Sequence, residues 1–150
     1  MSALFTIGYE QAKPESVLRE LNRAKVDLVV DTRAVAASRR PGFSKRQLAA
    51  SLDAEGIAYL HLQKLGTPAE GRQAARAGDM KTLWCVYGRH IKTPEAREAL
   101  DELLSLIKSG KRIALLCHER DPQHCHRSRI AALMRKRTHV KVVDLVPPLF

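Results

Sequence analysis

The sequence predicts a single-domain α/β fold, a mostly parallel sheet with helices on both faces in a Rossmann-like, three-layer arrangement. Three observations predict it. Short apolar, β-branched runs alternate with amphipathic segments of helix length along the whole chain. The runs tend to end in polar residues. No repeat, low-complexity stretch or linker divides the chain, and 150 residues fit one domain, 1–150, with a core that needs no disulfide or metal staple.

The elements follow in order. Leu4 to Ile7 reads as a first strand, ended by Gly8. Pro14 to Lys25 reads as a helix with Pro14 in its first turn and Val17, Leu18, Leu21 and Ala24 on one face. Val26 to Val30 is a buried strand ending near Asp31. Ser44-Lys45-Arg46-Gln47 has the form of a capping box opening a short helix with Leu48 and Leu52 inward. Ile57 to Leu62 is the third strand. Gly66, Pro68, Gly71 and Gly78 make residues 63–79 an irregular, lid-like segment. Lys81 to Lys92 is helical, and Thr93-Pro94-Glu95 starts a helix that Gly110 ends. Arg112 to Leu116, a helix within Pro122 to Arg137, and Val140 to Leu145 complete the series.

Composition narrows the setting. Lys and Arg number 26 against 16 Asp and Glu, a net charge of +10, which favours anionic partners or serves as a solubilising surface. The chain starts without a basic, apolar leader, and no apolar run is long enough to span a bilayer. Three cysteines argue against a disulfide framework and for a reducing compartment, so a cytoplasmic setting with no membrane partner is expected.

Ligands of open parallel sheets sit outside the carboxyl ends of the strands. The residues just beyond each strand are therefore the site candidates: Gly8 and Tyr9, then Asp31 and Arg33 with the loop residues Ser38 and Arg39, then Cys117 and Glu119, then Cys125, His126 and Arg127 at a helix start. Arg33, Arg39 and Arg127 suit phosphate or carboxylate oxygens, with Arg127 helped by the helix N-terminus. Arg33 held by Asp31 or Glu119 is the structural alternative. Glu119 and Asp31 are candidates for proton transfer or for neutralising the arginines. Cys117 and Cys125 are candidate nucleophiles or packed thiols. A Cys-x5-Arg phosphate loop is excluded, because positions 123 and 131 hold Gln123 and Ala131. Two cysteines with seven residues between them match no standard zinc motif, so no metal ligand set is assigned and the cofactor stays open. Dinucleotide and P-loop glycine patterns are absent. Tyr9 and Phe43 are the aromatics placed to stack on a base, or Phe43 to anchor its loop.

Thr6-Ile7-Gly8-Tyr9, Asp31-x-Arg33, Ser38-Arg39, Phe43-Ser44, Leu65-Gly66 and Cys117-x-Glu119 followed by Cys125-His126-Arg127 together resemble the prokaryotic domain-of-unknown-function family numbered 488. The closing pattern is the most specific part. Ala36 stands where that pattern commonly has Pro, and Thr67 where a second Gly often follows Leu-Gly. The resemblance implies an α/β fold and implies no particular reaction.

The expectation for function is an enzyme or ligand-binding protein acting on an anionic, phosphate-bearing, nucleotide-like small molecule at the strand ends. A nucleic-acid-binding module and a Cys/His metal-binding or redox protein are the alternatives. Oligomeric state is left open.

Overall fold

The structure, a computed structural model describing residues 2–149, has five parallel strands in one sheet. In chain order they are β1 (Ser2–Gly8), β2 (Leu28–Asp31), β3 (Ala58–His61), β4 (Ile113–Cys117) and β5 (Val140–Leu145). Their order across the sheet is β3-β2-β4-β1-β5. The helices are α1 (Pro14–Arg23), α2 (Lys45–Ala54), α3 (Ala69–Arg76), α4 (Met80–His90), α5 (Pro94–Lys108) and α6 (His126–Arg137). Among the described residues no helix is long and apolar enough to cross a membrane.

The first two crossovers run one way along the sheet and the last two run back, so right-handed connections deposit helices on opposite faces. Val17 and Leu21 of α1 and Leu48 and Leu52 of α2 pack on Phe5, Ile7, Val29 and Leu116. Leu100, Leu103 and Ile107 of α5 and Ile130 and Met134 of α6 pack on Leu4, Val30, Ile113 and Leu115. Alternate residues of each central strand thus feed two separate cores, which is why β4 is buried throughout and reads as a continuous apolar run.

Two expectations are corrected. Residues 63–79 are mostly helical: a 3-10 turn, Gln63–Leu65, leads into α3, which packs on α4. Pro68 precedes the first turn of α3, and Gly78, with φ 77°, follows its C-cap Ala77. These two residues bound a short helix inside a segment that read as irregular because they break any long element. The capping box also fails to form. Ser44 is the N-cap of α2 but its hydroxyl donates to the Ser38 carbonyl (3.1 Å) and accepts from the Ser38 amide (3.0 Å), while Gln47 accepts from the Gly42 amide (2.9 Å). Both side chains tie down the 36–44 loop in place of the helix end.

Candidate functional site

The run back of the chain puts β4 between β2 and β1, so Asp31, Cys117 and Gly8 end three adjacent strands. This is the switch point at which open α/β sheets bind ligands. Above it lies a cavity of about 500 Å³, lined by Tyr9 and Arg33, by Cys117 to Glu119, by His124 to His126, and by Arg72 and Arg76 of α3.

Two clusters of buried polar groups form the floor. The first belongs to β2. Asp31, with no exposed surface, receives Arg33 Nε (2.9 Å) on one carboxylate oxygen and Arg33 Nη2 (2.7 Å) on the other. The Tyr59 hydroxyl donates to the second oxygen (2.6 Å) and the Arg33 amide to the first (3.1 Å). Arg33 Nη1 completes the set, donating to the Tyr9 hydroxyl (3.1 Å) and the Phe43 carbonyl (2.7 Å). Burial works against the Arg33 charge, but the bonds and charge of Asp31, helped by Tyr9, raise its pKa above the ordinary arginine value. Burial, then Asp31, pushes the Tyr59 phenol up, so it stays a donor. Tyr9 and Phe43 stack on each other, with centroids 4.4 Å apart. Phe43 is thus the loop anchor, and Arg40 closes the same corner by donating to the Tyr9 and Ala12 carbonyls.

The second cluster belongs to β4 and α6. Cys117 ends the strand, and Cys125 is the N-cap of α6, its sulfur accepting from the Arg127 amide (3.5 Å). The two sulfurs are joined as a disulfide, a pairing that the sequence reading, which took three cysteines as arguing against a disulfide framework, did not foresee. Arg127 has no exposed surface. Its Nη1 donates to Cys117 Sγ (2.8 Å) and to the Glu119 carbonyl, and its Nη2 to the Arg120 carbonyl (3.2 Å). Among the described residues its Nε has no partner, and no carboxylate lies within 4 Å of the guanidinium. Burial lowers its pKa to about 10, and the more distant Asp144, Glu119 and Asp121 offset only part of that.

Gly8 makes this cluster possible. A Cβ there would sit on the Glu119 carbonyl and 3.0 Å from Arg127 Nη1, so the 117–120 loop crosses the end of β1 only because residue 8 has no side chain.

His126 bridges the two clusters. A carbonyl only accepts, so its Nε2 carries the proton that binds the Thr32 carbonyl (2.7 Å). Burial, opposed by that bond, lowers its pKa to about 4, and the ring is neutral. Nδ1 is then a bare acceptor, 3.6 Å from Cys125 Sγ. Glu119 is half-buried. Burial and then the charge of Glu10 raise its pKa.

The remaining candidates separate. Ser38 lines the cavity. Arg39 is exposed. His61 and His90 donate to the Arg33 and Lys64 carbonyls and fix turns. Sequence reasoning missed Tyr59, whose position two residues before His61 puts it on the same strand face, and it missed Arg72 and Arg76, whose four-residue spacing has meaning only once residues 69–76 are read as a helix. Among the described residues no three His, Cys, Asp or Glu side chains gather as a metal site.

The family described as Domain of unknown function DUF488 matches residues 13–134. The chain belongs to it. That span covers everything from α1 to most of α6, so this DUF488 domain carries both floor clusters within the family match, apart from Gly8 and Tyr9. No curated protein and no solved structure matches the sequence.

Proposed function

We propose that this DUF488 domain binds an anionic, phosphate-bearing small molecule in the strand-end cavity and acts on it with Glu119 as the proton-transfer group. The observation that carries the reading is the cavity lining, in which Arg72, Arg76, His118 and His124 face a space whose one lining carboxylate is Glu119. A concave site with converging basic side chains and a carboxyl group of raised pKa is the usual form of an anion-processing site. Arg33 belongs to the supporting wall in this reading, since its donors are already taken by Asp31, Tyr9 and Phe43.

The test is thermal-shift and calorimetric titration with inorganic phosphate, nucleoside phosphates and phosphosugars. A ligand at a hundred times its dissociation constant adds about 2.7 kcal/mol of stability. The expected result is a small-anion hit that Arg72→Ala and Arg76→Ala each weaken, with any turnover lost in Glu119→Gln while binding persists. Stabilisation by oligonucleotides alone, with a steep salt dependence, would replace this reading with a nucleic-acid-binding one.

A further inference from the structure

We propose that Cys117 and Cys125 are a redox-active dithiol that exchanges with small-molecule disulfides, with Arg127 as the buried counter-ion of the Cys117 thiolate and His126 as the proton acceptor for Cys125. This stands apart from the phosphate reading and holds whatever else the cavity takes.

Four observations converge. The two sulfurs meet across the cavity floor and both residues line the cavity, although they are only 1% and 3% exposed. Arg127 is a fully buried cation with no carboxylate within 4 Å among the described residues, and a sulfur at 2.8 Å is its nearest side-chain partner. A buried charge without a counter-charge is costly, and a thiolate on Cys117 supplies one. Cys125 sits at the start of a 12-residue helix, where backbone N–H groups and the dipole also favour a sulfur anion. The Thr32 carbonyl holds the His126 proton on Nε2, so Nδ1 is aimed at the Cys125 thiol.

The chemistry balances. The Cys117 thiolate attacks one sulfur of a disulfide RSSR; a mixed disulfide forms, the old S–S bond breaks, and its electron pair leaves as RS⁻. Cys125 gives its proton to His126 Nδ1 and attacks the Cys117 sulfur, closing the intramolecular bond and expelling a second RS⁻. That thiolate takes the proton from His126. The protein has lost two electrons and one proton, and RSSR has become RS⁻ and RSH. The steps reverse with a small thiol as reductant. Because Arg127 stabilises only the reduced side, it makes the pair an oxidant.

The experiment uses Cys85→Ser protein, which removes the exposed free cysteine, equilibrated in glutathione buffers, quenched by alkylation and read by mass. The expected result is one two-electron transition between a doubly alkylated form and an unalkylated form lighter by two hydrogens. Arg127→Lys moves its midpoint little, whereas Arg127→Met makes the disulfide persist at roughly tenfold or more reducing ratios. Two thiols alkylated at every ratio, or a reaction that stops at glutathione adducts, would overturn the proposal. So would an unchanged midpoint in Arg127→Met. A second measurement needs no Arg127 variant: in reduced Cys85→Ser, the alkylation rate against pH rises with an apparent pKa below ~7, and a rise only near ~8.5 defeats the thiolate assignment.

Discussion

Arg33 and Arg127 are both buried arginines at neighbouring strand ends, one beside β2 and one at the start of α6, and they are treated in opposite ways. Arg33 has a carboxylate on its fork, its Nη1 donates to Tyr9 and a carbonyl, and Tyr59 donates to the same carboxylate. Arg127 has carbonyls and a sulfur. The contrast teaches that burying a charge is compatible with two designs. A closed ion pair with four of its five guanidinium N–H groups bonded is a rigid wall. A cation left short of a counter-charge keeps a standing preference for any anion that can be made beside it, and the group beside it is a thiol.

The largest effect that tests this contrast is expected on the closed side. Asp31→Ala strands a buried guanidinium and costs about 3–5 kcal/mol, measured by chemical denaturation; a loss under about 1 kcal/mol would show that the pair is more hydrated than its burial indicates.

Next comes pH. His126 is neutral in the fold down to about 4 but takes a proton near 6.5 when unfolded. The unfolded chain therefore binds more protons between those values, and stability falls as pH drops through that window, by an amount on the order of 1–3 kcal/mol. His126→Gln removes this slope while keeping a donor for the Thr32 carbonyl, so the difference between the two unfolding curves at pH 7 and pH 4 reads the effect. Equal slopes would refute it.

Arg127→Met is smaller in stability. In the disulfide form it leaves no charge unpaired, only two carbonyls short of a donor, and costs about 1–3 kcal/mol, less than Asp31→Ala. The reverse order in that oxidised form would mean that Arg127 has a counter-charge other than the Cys117 thiolate. Smaller is Arg72→Ala, which loses the bond from Arg72 to the Thr67 carbonyl (2.8 Å) and costs about 0.5–1.5 kcal/mol, and smallest is Arg76→Ala, within about 0.5 kcal/mol of the parent because that side chain is exposed; the main effect of both belongs to ligand affinity.

Strand and helix order was legible because each element carries its own signal. The continuous run Ile113 to Cys117 marks a doubly covered strand, and Leu100, Leu103 and Ile107 mark one helix face. Placing Asp31, Arg33, Cys117 and Arg127 at one sheet edge needed only the rule that strand ends converge. What sequence left hidden was pairing. The reading for a phosphate loop looked for an arginine at fixed distance along one turn, whereas Arg127 reaches Cys117 from the first turn of the next helix, across a loop that Gly8 lets through. The same limit applies to Ser44 and Gln47, whose pattern fits a capping box but whose atoms are taken by the 36–44 loop. Competition between neighbours for one donor is decided in three dimensions.

The position of β4 has a consequence for synthesis. Residues 113–117 fill the slot between β1 and β2, so a nascent chain that has emerged only as far as α5 holds three strands, of which β1 and β2 lack their common neighbour and keep their inner edges unpaired. Neither half of the sheet is a stable unit in that state. The last quarter of the chain therefore acts as the keystone: the sheet closes, and both sulfurs and the buried guanidinium come together, in the same late event, which ties the appearance of the reactive site to completion of the fold.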